Sequence, residues 1–292
     1  MFIVINDIRN TDDDVIPLFK ETIGIPKIIH QIYIGGVVPQ QLLEISKKLR
    51  DNNPAWEYRF YDENRVISFI RDNYGEKMLE YYNRINPQYG AARVDLCRYL
   101  VMYRYGGVYL DLKSTFTRAI DDVLLENDKY LLCGWQNLKG QPNYGGGIHK
   151  ELSHLPEGEF QQWHIIAAAG SPLLREVIKK VLKNIDEYRP WRFGVGKPGV
   201  LRVTGPITYT LAIYPLLKKY PYRYARFDKE FGLLYSGLNN NEQHMQLMQK
   251  HYSDLRIPIV EMTGIYKWLS FIYLARKRCS KYLRDKIKKY KQ

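Results

Sequence analysis

Asp95 and Arg98 stand three residues apart in YGAARVDLCRYLVMYRYGG, a run that is otherwise largely apolar. On a helix that spacing puts a carboxylate and a guanidinium on one face, while Val94, Cys97 and Val101 fall on another and read as core. Charges in such a setting must be paired or bound to something. Two chemistries fit: an ion pair that locks the helix, or recognition of a hydroxyl-rich ligand, with Asp accepting from hydroxyls and Arg donating through a fixed fork. The run closes on Gly106-Gly107 and passes into VYLDLKSTF, where Asp111 ends an apolar stretch. A carboxylate there can hold a hard cation bridging phosphate oxygens, or cap the following turn. Lys113 comes two residues later. On a continuing strand it shares the face of Asp111 and puts an ammonium where a second carboxylate would complete a metal clamp.

The elements around these residues alternate. KIIHQIYIGG reads as a strand closed by a glycine pair, and AWEYRFYDE as a second ending at Asp62. VYLDLKSTF, KYLLCGWQ, HIIAAAG, YRYARF and GLLYS read as further strands. Helices are expected near 40–51, 64–73, 76–85, 88–105, 171–188 and 206–219, with Ser171 as N-cap and Pro172 at the first helical position, and a last helix starts at Gly264. Strands alternating with helices predict an α/β sheet covered on both faces, with ligands outside the carboxyl ends of the strands. Asp62 and Asp111 end strands, and Tyr33 lies near the end of another. Two glycine-rich segments are set aside. GVGKPG, Gly194–Gly199, fits a dinucleotide fingerprint, but no clear strand precedes it and Pro198 is expected to spoil the helix opening. NYGGG could bring backbone amides to a phosphate but reads as a surface loop.

Composition bounds the class. The 292 residues can bury a substantial core. The 25 tyrosines suit surfaces that stack on rings and bond hydroxyls. Three widely spaced cysteines without a CxxC argue against zinc or a disulfide framework and predict a reducing, cytoplasmic setting. No signal peptide or spanning segment is expected. The net charge of +13 is uneven: Lys267–Gln292 holds ten Lys/Arg against one acid, and the other residues hold 34 basic and 30 acidic side chains. The excess is a tail property, which argues against a nucleic-acid partner. Leu269, Ile272, Cys279, Leu283, Ile287 and Tyr290 fall near one helical stripe. A basic amphipathic helix of that kind lies on an anionic membrane or packs on the domain with its basic face in solvent. The expected organisation is a domain over 1–263 and the basic helix over 264–292.

Three ordered pieces, IPKIIHQIYIGG, NPAWEYRFYDE and AARVDLCRYLVMYRYGGVYLDLKS, resemble the DXD-type glycosyltransferases of sequence family thirty-two. Weaker likeness continues through FQQWHIIAAAGSPLL, VLRVTGP and KHYSDLRIPIV, so the resemblance covers about residues 25–260. It implies a GT-A-like α/β fold with a central mixed sheet and helices on both faces. It implies transfer of a sugar, with retention, from a UDP- or GDP-linked donor to a glycan, lipid-linked or protein acceptor. Carried over by motif, Tyr33 corresponds to the aromatic that stacks on the base, with Gln31 and Asp62 beside it. Asp95 and Arg98 match the pair that grips the donor sugar. Tyr109 matches a residue near the diphosphate and Asp111 the first acid of the DXD, while Gln162 matches a polar position facing the reacting sugar. Asp95, Arg98 and Asp111 are the expected catalytic residues. Lys113 departs from the motif, since the second acid is usually the direct metal ligand. The implied cofactor is a divalent cation, manganese in preference, held by Asp111 and His251, with Lys113 near the donor. The alternative is a relative that binds nucleotide sugar or glycan without chemistry.

Overall fold

The computed structural model describes residues 15–238 and 252–290; His251 lies outside them. A six-stranded sheet forms the centre. Its strands are β1 (Ile28–Ile32), β2 (Glu57–Tyr61), β3 (Gly107–Leu110), β5 (Tyr130–Cys133), β6 (His164–Ala167) and β7 (Arg223–Ala225). The spatial order is β2-β1-β3-β6-β5-β7. All neighbours run parallel except β6, which is antiparallel to both β3 and β5. The carboxyl ends of five strands therefore share one edge with the start of β6. A separate ribbon pairs β4 (Thr115–Phe116) with β8 (Leu233–Leu234).

Side chains alternate across the sheet as the pleat requires. Tyr109, Tyr130, Leu132, Ile165 and Ala167 enter one core, and Val108, Leu110, Leu131, Cys133 and Ile166 the other. The first core lies under α2 (Glu63–Tyr74), α3 (Glu76–Arg84), α4 (Gly90–Tyr105), α5 (Pro172–Asp186), α6 (Pro190–Phe193), α7 (Gly196–Val203) and α8 (Pro206–Ile213). The second is closed by α1 (Gln40–Asp51), short 3-10 turns and the β4–β8 ribbon. This is the mixed sheet, covered on both faces, of the expected GT-A-like class. The last helix, α9, spans Gly264–Tyr290.

Several local readings are corrected. VYLDLKSTF is not one strand: β3 stops at Leu110, and a turn in which the Ser114 N–H donates to the Asp111 carbonyl at 2.8 Å precedes β4. Pro198 does not prevent a helix. It sits in the first turn of α7, where no intrahelical N–H is needed. The helix expected over 206–219 ends at Ile213, and Pro215 follows in a 3-10 turn. Ser171 stands at the N-cap of α5 beside Pro172, but its side chain makes no capping bond.

The glycine pair between α4 and β3 shows why that junction admits no other residue. Gly106 and Gly107 have φ of 63° and 98°. A Cβ on Gly106 would meet the Ala169 backbone N at 2.4 Å, and one on Gly107 the Ile28 carbonyl O at 2.3 Å. We predict that Gly107→Ala lowers stability by at least about 2 kcal/mol, because left-handed strain and a backbone clash add. Gly75→Ala, at φ 81° with open space around it, costs less. Chemical denaturation of the two variants gives the comparison.

Two histidines are fully buried in the sheet. His30 lies between the Tyr61 hydroxyl and the Gly106 carbonyl, at 3.2 and 3.0 Å. His164 has no partner on either ring nitrogen among the described residues. Burial pushes each imidazole down to about 3. The unfolded chain takes up these protons below its ordinary value of 6.5, whereas the folded chain does not until about 3. Their contribution is therefore full above that ordinary value and is lost as pH falls through the window. His164→Gln is expected to reduce the stability difference between pH 7 and pH 5.5 by about 1 kcal/mol, measured by denaturant unfolding at both pH values.

Candidate active site

The site is built on α4, which is buried on every side from Asp95 to Tyr103. A helix of that kind has no solvent face, so its polar side chains must find partners inside. Arg98 does so at the carboxyl edge of the sheet. Its Nη2 donates to Asp95 Oδ1 at 2.6 Å, and its Nη1 to the Gln162 carbonyl at 2.8 Å and to Asp111 Oδ1 at 3.3 Å. The guanidinium lies 5.0 Å from the centre of the Tyr109 ring. Tyr109, two residues before Asp111 on the same face of the chain, donates its hydroxyl to Asp111 Oδ1 at 3.0 Å.

Asp95 accepts three hydrogen bonds: Oδ1 from Arg98 and from Gln162 Nε2 at 2.9 Å, Oδ2 from the Thr204 hydroxyl at 2.8 Å. Burial raises its carboxyl pKa, opposed by the Arg98 charge and by the hydrogen bonds from Gln162 and Thr204. Burial also disfavours the Arg98 charge, but Tyr109, Asp95 and Asp111 outweigh it and raise that pKa. The cluster thus keeps its cation. Its bonding capacity is not exhausted, because Arg98 Nε has no acceptor among the described residues.

The other expected residues lie at the same edge with different attachments. Gln31 is buried on β1, accepts from the Tyr58 hydroxyl at 2.9 Å and donates to the Asp111 carbonyl at 3.4 Å, tying the two strand ends together. Tyr33 follows β1 and packs against the small cluster of Leu42, Ile45 and Leu112, as Phe60 does. Gly35 lies against its ring, where a Cβ would come within 2.8 Å of Cζ. Asp62 caps α2 by accepting from the Arg65 N–H at 2.8 Å. Lys113, carried by the turn after β3, sets its ammonium 3.8 Å from the centre of the Tyr235 ring. Asp95, Arg98, Tyr109, Asp111 and Gln162 therefore form one bonded cluster, joined through Gln31 to β1. Asp62 and Lys113 are engaged elsewhere.

Two further polar groups complete the cluster. Thr204 holds the second oxygen of Asp95, and the Tyr99 hydroxyl is within 3.2 Å of Gln162 Oε1 and 2.7 Å of the Thr204 carbonyl. Beside Lys113, Tyr235 meets Trp163 and Trp135 edge-on, with ring centres at 5.3 and 6.0 Å. Trp135 follows β5 and Trp163 precedes β6, so both stand at the site's edge. A cleft of about 430 Å³ between β2 and α2 is lined by Arg59, Arg65 and Tyr105 among others. It shares no residue with the Arg98 cluster.

A divalent ion fits one carboxylate here. Asp111 gives Oδ1 to Tyr109 and Arg98, which leaves Oδ2 for an ion. No group of three His, Cys, Asp or Glu side chains that could hold a metal occurs among the described residues. An ion would therefore draw most of its shell from ligand oxygens and water.

Comparison with known proteins follows the same residues. Residues 39–130 match the family described as glycosyltransferase sugar-binding region containing DXD motif. The uncharacterized glycosyltransferase L373 of Acanthamoeba polyphaga mimivirus is 30% identical over 172 residues, 55% of this chain and 67% of that protein. Mannosyl phosphorylinositol ceramide synthase SUR1 of Saccharomyces cerevisiae is 28% identical over 197 residues, 65% of this chain and 49% of its own length. The chain thus spans about half of that relative. Among solved structures, PaToxG glycosyltransferase aligns over 84% of this chain and 83% of its own, at 17% identity and a TM-score of 0.47.

The burial of the Asp95–Arg98 pair sets a condition on its mutagenesis. Asp95→Ala strands a buried guanidinium and is expected to cost about 3–5 kcal/mol. Asp95→Asn keeps an acceptor for Arg98 and Gln162 on one side and offers its amide N–H to the Thr204 hydroxyl, which can accept, and is expected to cost less. Urea unfolding of both variants ranks them; equal costs would show that the fold needs the charge of Asp95 and not merely a hydrogen-bond acceptor there.

Proposed function

From a chain that belongs to the family of glycosyltransferases whose sugar-binding region contains a DXD motif, we propose an enzyme that moves a sugar from a nucleoside-diphosphate donor to a hydroxyl of a glycan, lipid or protein, with retention of configuration. The observation that carries this reading is the Arg98 cation held between Asp95 and Asp111 at the carboxyl edge of the sheet. That arrangement joins a hydroxyl-binding carboxylate to a phosphate-facing one through a single guanidinium.

In this proposal Tyr33 stacks on the base, with Gln31 and Asp62 at the rim of its pocket. Asp95, Arg98 and Gln162 grip the donor sugar, with Thr204 and Tyr99 fixing their orientation. Tyr109 aims Asp111 at the diphosphate. A divalent cation, manganese first since it tolerates imidazole, would be held by Asp111 and His251 and would offset charge on the leaving diphosphate. Arg98 contributes fixed positive charge where the sugar–phosphate bond breaks. The donor is UDP- or GDP-linked. The name of a relative, mannosyl phosphorylinositol ceramide synthase, supports mannose as the sugar moved and a lipid as its acceptor. The three cysteines are free, and the described ones before α9 are buried, which supports a reducing setting. No helix among the described residues is long and apolar enough to cross a membrane. We propose a cytoplasmic setting for the enzyme, at a membrane surface.

Lys113, in place of the second acid, favours one other reading, a relative that binds nucleotide sugar without turning it over. Both are tested by thermal shift against a panel of nucleotide sugars, where a ligand at about 100 times its dissociation constant adds about 2.7 kcal/mol, followed by release of nucleotide from the donor that binds. We expect turnover that stops with EDTA and returns with manganese, and Lys113→Ala to retain it. Binding without any nucleotide release selects the non-catalytic reading. Turnover indifferent to EDTA but lost in Lys113→Ala would assign the charge-offsetting role to the lysine.

A further inference from the structure

Among its described side chains, helix α9 has two apolar faces, and only one is used. Tyr266 lies under the Arg189 guanidinium at 3.7 Å, and Tyr273 meets Trp191 at 6.1 Å. Ser270 and Leu274 are buried in the same contact. At about 100° per residue these four side chains form one face, turned toward α6. Ile265, Trp268, Leu269, Phe271 and Ile272 fall on the opposite face. They are exposed, Trp268 at 71% and Phe271 at 68%. Leu269, Ile272 and Cys279, from the stripe expected to be apolar, are on this open face too. Lys267 and Arg278 flank it on one side, and Arg276 interrupts it one turn beyond Ile272. No acidic residue occurs from Gly264 to Arg284.

Five large apolar side chains together on a solvent face call for a cover. The charge around them selects it. A second copy of the chain would bring one tail of ten basic residues and a single acid against another. An uncharged surface would gain no attraction from these charges. We infer that the Ile265–Ile272 face of α9 docks into the headgroup boundary of an anionic bilayer. Trp268 and Phe271 enter the acyl margin, and Lys267, Arg276 and Arg278 lie against acidic headgroups. α6 holds the helix by its other face, so the membrane contact is rigidly coupled to the domain. The corollary that the acceptor is membrane-borne rests on the glycosyl-transfer reading; the docking itself does not.

The test is co-sedimentation of the full chain, without donor, with phosphatidylcholine vesicles that contain or lack phosphatidylserine. The wild type is expected to pellet with the acidic vesicles and stay in solution with the neutral ones. Trp268→Ser with Phe271→Ser replaces two exposed side chains and should leave the melting curve in place while lowering partition at least about tenfold. Equal partition of the wild type and this double variant would reduce the contact to tail charge and overturn the inference. So would a wild type that ignores acidic vesicles, or one that forms a dimer in sedimentation velocity that the double variant abolishes. Donor binding is scored separately by thermal shift. Vesicle binding without affinity for any nucleotide sugar defeats the glycosyltransferase reading and leaves the surface standing; the converse result defeats only the surface.

Discussion

A guanidinium sealed inside a protein is the condition to which the rest of this fold answers. Removing such a cation from water costs several kcal/mol unless its donors are met. Arg98 meets that cost with Asp95, Asp111, the Gln162 carbonyl and the face of Tyr109. Each partner then imposes a demand of its own. Asp95 needs Thr204 and Gln162, Gln162 needs Tyr99, and Asp111 needs Tyr109. α4, β3, the start of β6 and the turn into α8 are fixed relative to one another by a few polar groups, most of them buried. Such a network is rigid when complete and costly when broken. Rigidity of that kind suits a site that must present charge in a fixed place.

The sheet makes the network possible through one reversed strand. If β6 ran with its neighbours, its first residues would lie at the far edge, and Gln162 could not reach Asp95. Its antiparallel course brings Gln162 and Trp163 beside Asp111, whose N–H donates to the Trp163 carbonyl at 2.8 Å. The glycine pair gives α4 a tight exit into β3, between β1 and β6. The position of the charge therefore depends as much on backbone path as on side chains.

Much of this can be read from the chain, and the exceptions have physical causes. The Asp95–Arg98 spacing, the glycine stop and Asp111 at the end of an apolar stretch are local signals. Alternation continues through VYLDLKSTF, but hydrogen bonding does not, so the turn after Leu110 leaves no mark in residue pattern. Lys113 consequently leaves the face of Asp111 for Tyr235. Asp62 has a capping bond to make with Arg65, a role its place before a helix already suggests. Thr204 and Tyr99 could not be found from spacing. One is 109 residues from its partner, and the other sits on a helix buried all round, where periodicity names no inward face. Pro198 misleads because a rule for helix interiors does not hold in the first turn.

The separation between Asp95 and Thr204 also bears on the order in which the chain is made. During synthesis α4 leaves the ribosome long before β6 and α8 exist, so Arg98 spends that interval in water with few of its final partners. Closing a contact over that span must await the intervening sheet. A chain cut short before Thr204 carries α4 without the oxygen clamp on Asp95. That clamp therefore waits on synthesis past Thr204, and a chain ending before Gln162 carries the guanidinium without its full set of partners as well.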